Sequence, residues 1–226
     1  MQLVIGNKNY SSWSMRPWVL LKQAGIAFDE IKIRFDGFAP DSRFKTELAR
    51  VTPAGRVPVL IDADLTVWDT LAIAEYVAEK FPEKKLWPQD MKTRARARSV
   101  CAEMHAGFSS LRNHFPMNIE ASLPEVGARV LAEQAGARGD VERLGGMWSV
   151  LLDAYRGPLL FGEFSIVDAY FAPVVMRLKT YGVPVPPSIA AYMKRVSELP
   201  GVAAWIGDAL AERDFLDFEE PYRSRA

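Results

Sequence analysis

The apolar run Leu3-Val4-Ile5 predicts a short buried strand, and a helix follows it. Trp18, Leu21 and Ala24 recur at helical spacing from about Ser14, and Gly25 is placed to stop the helix. Ile31, Ile33 and Phe35 alternate with Lys32 and Arg34, the period-2 pattern of a second strand. A short helix from Asp41 to Arg50 sets Phe44 and Leu48 one turn apart. Val57-Pro58-Val59-Leu60-Ile61 and Leu65-Thr66-Val67-Trp68 are two further strands, and the tight turn Asp62-Ala63-Asp64 makes them antiparallel. Asp69-Thr70 then caps a helix that carries Ile73, Val77 and Phe81 on one face.

The resulting order is β-α-β-α-β-β-α, a parallel unit followed by a hairpin unit, which is the thioredoxin-like order. It occupies residues 1–82, and residues 83–90, with Pro88, read as a linker. Residues 91–226 then read as an all-helical bundle domain. Met91 to Phe115 is one long helical run stopped by Pro116. Pro124 to Ala135 and Asp140 to Tyr155 are two more, with Gly136 and Gly139 as breakers between them. Ser165-Ile166-Val167-Asp168 has the S-x-x-D capping pattern and opens an apolar helix to about Lys179, in which Pro173 predicts a kink. Ser188 to Leu199 and Val202 to Glu212 complete the bundle.

Composition narrows the function classes. Acidic and basic side chains balance at 28 each, which argues against a nucleic-acid or polybasic membrane-surface binder. No apolar run reaches the roughly 20 residues of a membrane span, and Met1-Gln2-Leu3 shows no secretory leader, so a cytoplasmic protein is expected. A single cysteine, Cys101, excludes a C-x-x-C pair, and with only His105 and His114 beside it no metal site is expected. There is no G-x-S-x-G elbow, no G-x-G-x-x-G and no P-loop.

The candidate chemistry lies at three helix or strand entrances. Ser11, Ser12 and Ser14 surround a helix N-terminus, where unpaired N–H groups and the dipole favour an anion such as a thiolate, although capping alone would also explain them. Val57-Pro58 sits where the thioredoxin-like order places a cis proline, which frees the preceding backbone to pair with an extended peptide. Asp69 and Thr70 are favoured caps. The same helix end could also take a carboxylate and an ammonium on one carbon, as in a γ-glutamyl group. On the long run, Met104 and Phe108 share a face with Arg112, which suits either core or the wall of an apolar pocket with one cation.

These residues together resemble the glutathione S-transferase superfamily over essentially the whole chain. The resemblance is carried by Ser11-Ser12-Trp13-Ser14-Met15-Arg16, Arg56-Val57-Pro58, Asp69-Thr70-Leu71-Ala72-Ile73, Phe161-Gly162 and the Ser165–Asp168 cap. The serine stretch is most similar to the zeta class, Ser-Ser-Cys-Ser-x-Arg, with Trp13 where that class has cysteine. The resemblance implies glutathione as co-substrate and Ser11 as the hydroxyl that stabilises its thiolate, with Ser12 in reserve. It further implies that Val57 and Pro58 hold the cysteinyl unit, Asp69 and Thr70 the γ-glutamyl end, and Arg56 the glycyl end. A small electrophile would lie against Trp13, Met104, Phe108 and Arg112, and a homodimer is implied. The alternatives are a glutathione-dependent cis–trans isomerase of a small dicarboxylate, clamped by Arg112 or Arg16, and a non-catalytic binding protein.

Overall fold

The computed structural model describes residues 1–225. Its first part is β1 (Gln2–Ile5), α1 (Ser12–Gln23), β2 (Asp29–Lys32), α2 (Arg43–Leu48), β3 (Val59–Asp62), β4 (Leu65–Trp68) and α3 (Thr70–Lys80). The sheet order is β2-β1-β3-β4, with β2 parallel to β1 and the other two neighbours antiparallel. The register sets Leu3 against Leu60 and Val4 against Val59, so alternate residues serve opposite faces. Leu3, Ile5 and Leu60 pack with the helices α1 and α3. Val4 and Val59 pack on the other face with Phe44 and Leu48 of α2 and with Leu216 from the C-terminal tail. Coverage of both faces is why the central strands β1 and β3 read as unbroken apolar runs, whereas the edge strand β2 is exposed.

The helical part comprises α4 (Met91–Ala106), α5 (Ser109–His114), α6 (Pro124–Glu133), α7 (Ala135–Tyr155), α8 (Ile166–Thr180), α9 (Pro187–Glu198) and α10 (Pro200–Glu212). One continuous hydrophobic core joins it to the sheet, from Leu3 and Met15 through Phe171 to Trp205. All of α8 except Lys179 is buried, and its capping box is fully formed. Asp168 accepts from the Ser165 and Leu160 amides, the Ser165 hydroxyl and the Tyr192 hydroxyl. Burial nonetheless pushes its carboxyl up to about 6. Ser165→Ala removes the acceptor for the Val167 amide and is expected to cost about 1 kcal/mol in urea unfolding.

Two expectations are corrected. The run from Met91 to Phe115 is two helices, because Gly107 has no room for a Cβ against the Glu103 carbonyl and Phe108 turns the chain at φ +55°. Gly136 and Gly139 lie inside α7, and the break falls at Gln134. Gly136 is instead a close-packing residue, since a Cβ there would stand 2.7 Å from the Ser110 hydroxyl of α5.

Candidate active site

β1 ends beneath a tight loop. The Asn7 carbonyl accepts from the amides of Tyr10 and Ser11, and this turns Ser11 into the entrance of α1. Gly6 is required just before it, because any Cβ would collide with the Phe35 ring. Ser11 does not cap the helix with its side chain. Its hydroxyl lies 2.7 Å from the Ser14 hydroxyl, which accepts from the Gly6 amide. Ser12 takes a different partner: its oxygen accepts from Arg177 Nη2 of α8 at 2.8 Å.

A cavity of about 930 Å³ opens over this corner. Ser11, Ser12, Trp13, Arg56, Val57, Pro58, Asp69, Thr70 and Arg112 all line it. The sequence residues that do not reach it are Met104 and Phe108. Both are core residues, because the kink at Gly107-Phe108 separates them from the helix that carries Arg112. The Val57-Pro58 peptide bond is cis, and Val57 lies outside the β1–β3–β4 ladder, which ends at Val59.

At the entrance of α3, Asp69 adopts φ +73° and its carboxylate accepts from the Leu71 amide. The other oxygen of that carboxylate stands 3.2 Å from His105 Nε2. The hydroxyl of Thr70 is already engaged: Tyr170 OH is 2.6 Å away, and Arg16 Nη1 donates to it at 3.4 Å. What Thr70 still offers a ligand at this helix end is therefore its backbone N–H. Tyr170 also reaches His105 Nδ1, so α8 and α4 brace this helix entrance from behind.

Three guanidinium groups converge on the serine corner. Arg16 is buried between the rings of Trp13 and Tyr170, 4.3 and 4.2 Å from their centroids, and its Nε has no partner. Arg177 is buried and donates to the Phe115 and Arg112 carbonyls besides Ser12. Arg112 is half-buried over Trp13. Among the described residues none of the three has a carboxylate within ion-pair distance. Burial, together with their mutual repulsion, pushes Arg16 down to about 10 and Arg177 down to about 9. Both stay charged at neutral pH, so the corner is a preorganised positive field.

The cavity also contains residues that sequence reasoning did not single out as site residues, including Lys45, Trp68, Arg177 and Glu219. A charged residue inside the apolar run after Asp168 was the available signal for Arg177. Glu219 gave none. It comes from the tail, which is strapped down where Glu220 accepts from Tyr10 OH and Asn118 and pairs with Arg223. Burial raises the Glu219 carboxyl to about 7, with Glu220 adding to the rise and Arg177 opposing it. Ionised Glu219 therefore opposes the folded state, and this loss grows as pH climbs from the ordinary carboxyl range through about 7. Glu219→Gln is expected to raise Tm relative to wild type at pH values above about 7 and to leave it unchanged below about 4.5, as read by calorimetry across pH.

Cys101 offers no competing thiol, since it is buried and burial pushes its pKa up. Among the described residues no cluster could hold a metal ion, and no helix is long and apolar enough to cross a membrane.

The chain matches two family models, the glutathione S-transferase N-terminal domain over residues 10–80 and the glutathione S-transferase C-terminal domain over residues 94–208. A stringent starvation protein A homolog from Haemophilus ducreyi is 25% identical over 206 residues, which is 89% of this chain and 88% of that protein. Glutathione S-transferase 1 of Dianthus caryophyllus is 27% identical over 178 residues, covering 78% and 76%. Among solved structures, a Burkholderia glutathione transferase homolog with bound glutathione superposes with a TM-score of 0.69 at 25% identity, covering 94% of this chain and 98% of that one.

Proposed function

Because the chain belongs to the glutathione S-transferase family over both of its domains, we propose that it binds glutathione in this cleft, ionises the thiol at the serine corner, and adds the thiolate to a small electrophile. The observation that carries the reading is the pair of cavity-facing hydroxyls, Ser11 and Ser12, at the N-terminus of α1 with unpaired guanidinium groups behind them. In this reading the cysteinyl unit pairs with the free backbone of Val57 beside Pro58. The γ-glutamyl group meets Asp69 and the Thr70 N–H, and Arg56 with Lys45 meets the glycyl carboxylate.

The energetics are adequate. A thiol of pKa about 8.5 is about 3% ionised at pH 7, and moving it down by two units takes about 2.7 kcal/mol. One hydrogen bond to a charged group supplies about 1.5–3 kcal/mol, and a helix N-terminus about 0.3–1. Ser11 donates to the Ser14 hydroxyl, which also accepts from the Gly6 amide, and a thiolate at this corner takes over as acceptor of the Ser11 proton. With Ser14 turned to donate to Ser11, three donors line up toward sulfur. The hydroxyl does not lose its proton; it donates throughout, and no general base is needed. By analogy with its family the protein would act as a cytoplasmic homodimer.

The test is a pH titration of the ultraviolet thiolate absorbance of glutathione bound to the wild-type protein. A bound thiol about two units more acidic than free glutathione supports the reading. Binding without any acid shift overturns it. The likeness to stringent starvation protein A homologs favours a second reading, a binding protein on the same scaffold. Tight glutathione binding with no turnover of any electrophile would select that reading.

A further inference from the structure

Glutathione with an ionised thiol carries three negative groups and one ammonium, and the cleft holds more cations than that ligand uses. On the proposed pose, which this inference takes as its premise, Lys45 and Arg56 face the glycyl end, and Arg177 is committed to Ser12. Arg112 is left over. Its Nη1 donates to the Met104 and His105 carbonyls at 3.1 Å, whereas Nε and Nη2 make no hydrogen bond among the described residues. The acid that acts on it, Asp140, accepts from the Leu111 amide and is outside ion-pair distance. Arg112 is thus a half-buried cation in the cavity wall with an open edge and no counter-ion. Pro116 and Met117, which follow it in the chain, line the cavity with apolar surface.

We propose that the second substrate is an electrophile bearing a carboxylate, which pairs with the open edge of Arg112 while its apolar body lies against Pro116 and Met117. A carboxylate matches that fork bidentately, and a planar guanidinium with two free N–H groups is the donor suited to it. Arg16 and Arg177 deepen the positive potential behind Arg112 without touching the acceptor. Glu219 lines the same cavity, and its ionised carboxylate would repel such an anion.

The test compares chlorodinitrobenzoate with its methyl ester, each rate divided by the uncatalysed rate with free glutathione. In both reactions the sulfur–carbon bond forms, the carbon–chlorine bond breaks, and the electron pair leaves with chloride. The carboxylate is expected to be preferred by about tenfold or more. Arg112→Gln should raise its KM about tenfold and collapse that preference, with the KM of the methyl ester unmoved. Glu219→Gln should tighten binding of unreactive dinitrobenzoate, measured by calorimetry on the glutathione complex. Equal use of ester and carboxylate overturns the proposal. So does an Arg112→Gln variant that keeps the preference for the carboxylate. The dinitrobenzoate arm needs no ionised thiol, so failure of the thiolate reading and failure of this proposal are separately visible.

Discussion

Ser11→Ala is expected to raise the pKa of bound glutathione by about one to two units and to lower kcat/KM about 10- to 100-fold at pH 7, corresponding to the loss of one hydrogen bond to a charged sulfur. The dissociation constant of glutathione should change little, because the peptide ends are held elsewhere. The pH–rate profile should move to higher pH by the same interval, so much of the lost rate returns in alkaline buffer. That recovery separates a missing thiolate donor from a disturbed fold. Ser14→Ala should give a smaller effect in the same direction, since it removes only the group behind Ser11. If Ser11→Ala leaves the thiol acidity unchanged while Ser12→Ala lowers it, the donor is Ser12 and the register of the corner is one residue later.

The α/β half was legible because its signals are local. β1 and β3 are apolar runs of a few residues, each helix has a cap or a stop, and the three-residue turn Asp62–Asp64 decides the hairpin by itself; the edge strand β2, exposed and mostly charged at Asp29–Lys32, begins two residues before its alternating pattern. The Ser165–Asp168 box was legible for the same reason, and so was the break before Pro116. What stayed hidden depends on contacts distant in sequence or on uncommon backbone. Phe108 has a left-handed conformation that its residue type does not announce. Its neighbour Gly107 turns a smooth helical pattern into two helices, and that kink sends Met104 and Phe108 into the core instead of the cleft. Gly136 reads as a breaker until the Ser110 side chain is seen occupying the space a Cβ would need. At the site, Ser11 and Ser12 were visible as a cluster. Their different partners were not, because Arg177 reaches Ser12 across 165 positions of sequence.

Arg177→Met is expected to separate stability from activity. A buried guanidinium with no carboxylate partner bears a desolvation cost of several kcal/mol that no ion pair offsets, and its neighbours Arg16 and Arg112 add repulsion. Methionine removes that cost and packs in similar volume, but it leaves the Phe115 carbonyl short of its donor, at about 1–3 kcal/mol, while the Arg112 carbonyl loses a longer bond and the cavity-lining Ser12 hydroxyl is open to water. The two nearly cancel, so Tm should hold or rise. Activity has no such compensation. A thiolate held at Ser11 within about 6 Å of the cation is attracted by about 3 kcal/mol at an effective dielectric of about 20. Its loss is expected to raise the bound-thiol pKa by about two units and cut kcat/KM about 100-fold at pH 7. Arg177→Lys keeps the charge but not the fork that spans Ser12 and Phe115 together, and should restore part of the thiol acidity at a lower Tm than the methionine variant. A purely structural Arg177 would give the opposite order: methionine the less stable of the two, and neither moving the thiol pKa. Calorimetry and thiolate absorbance on the same two proteins decide between these outcomes.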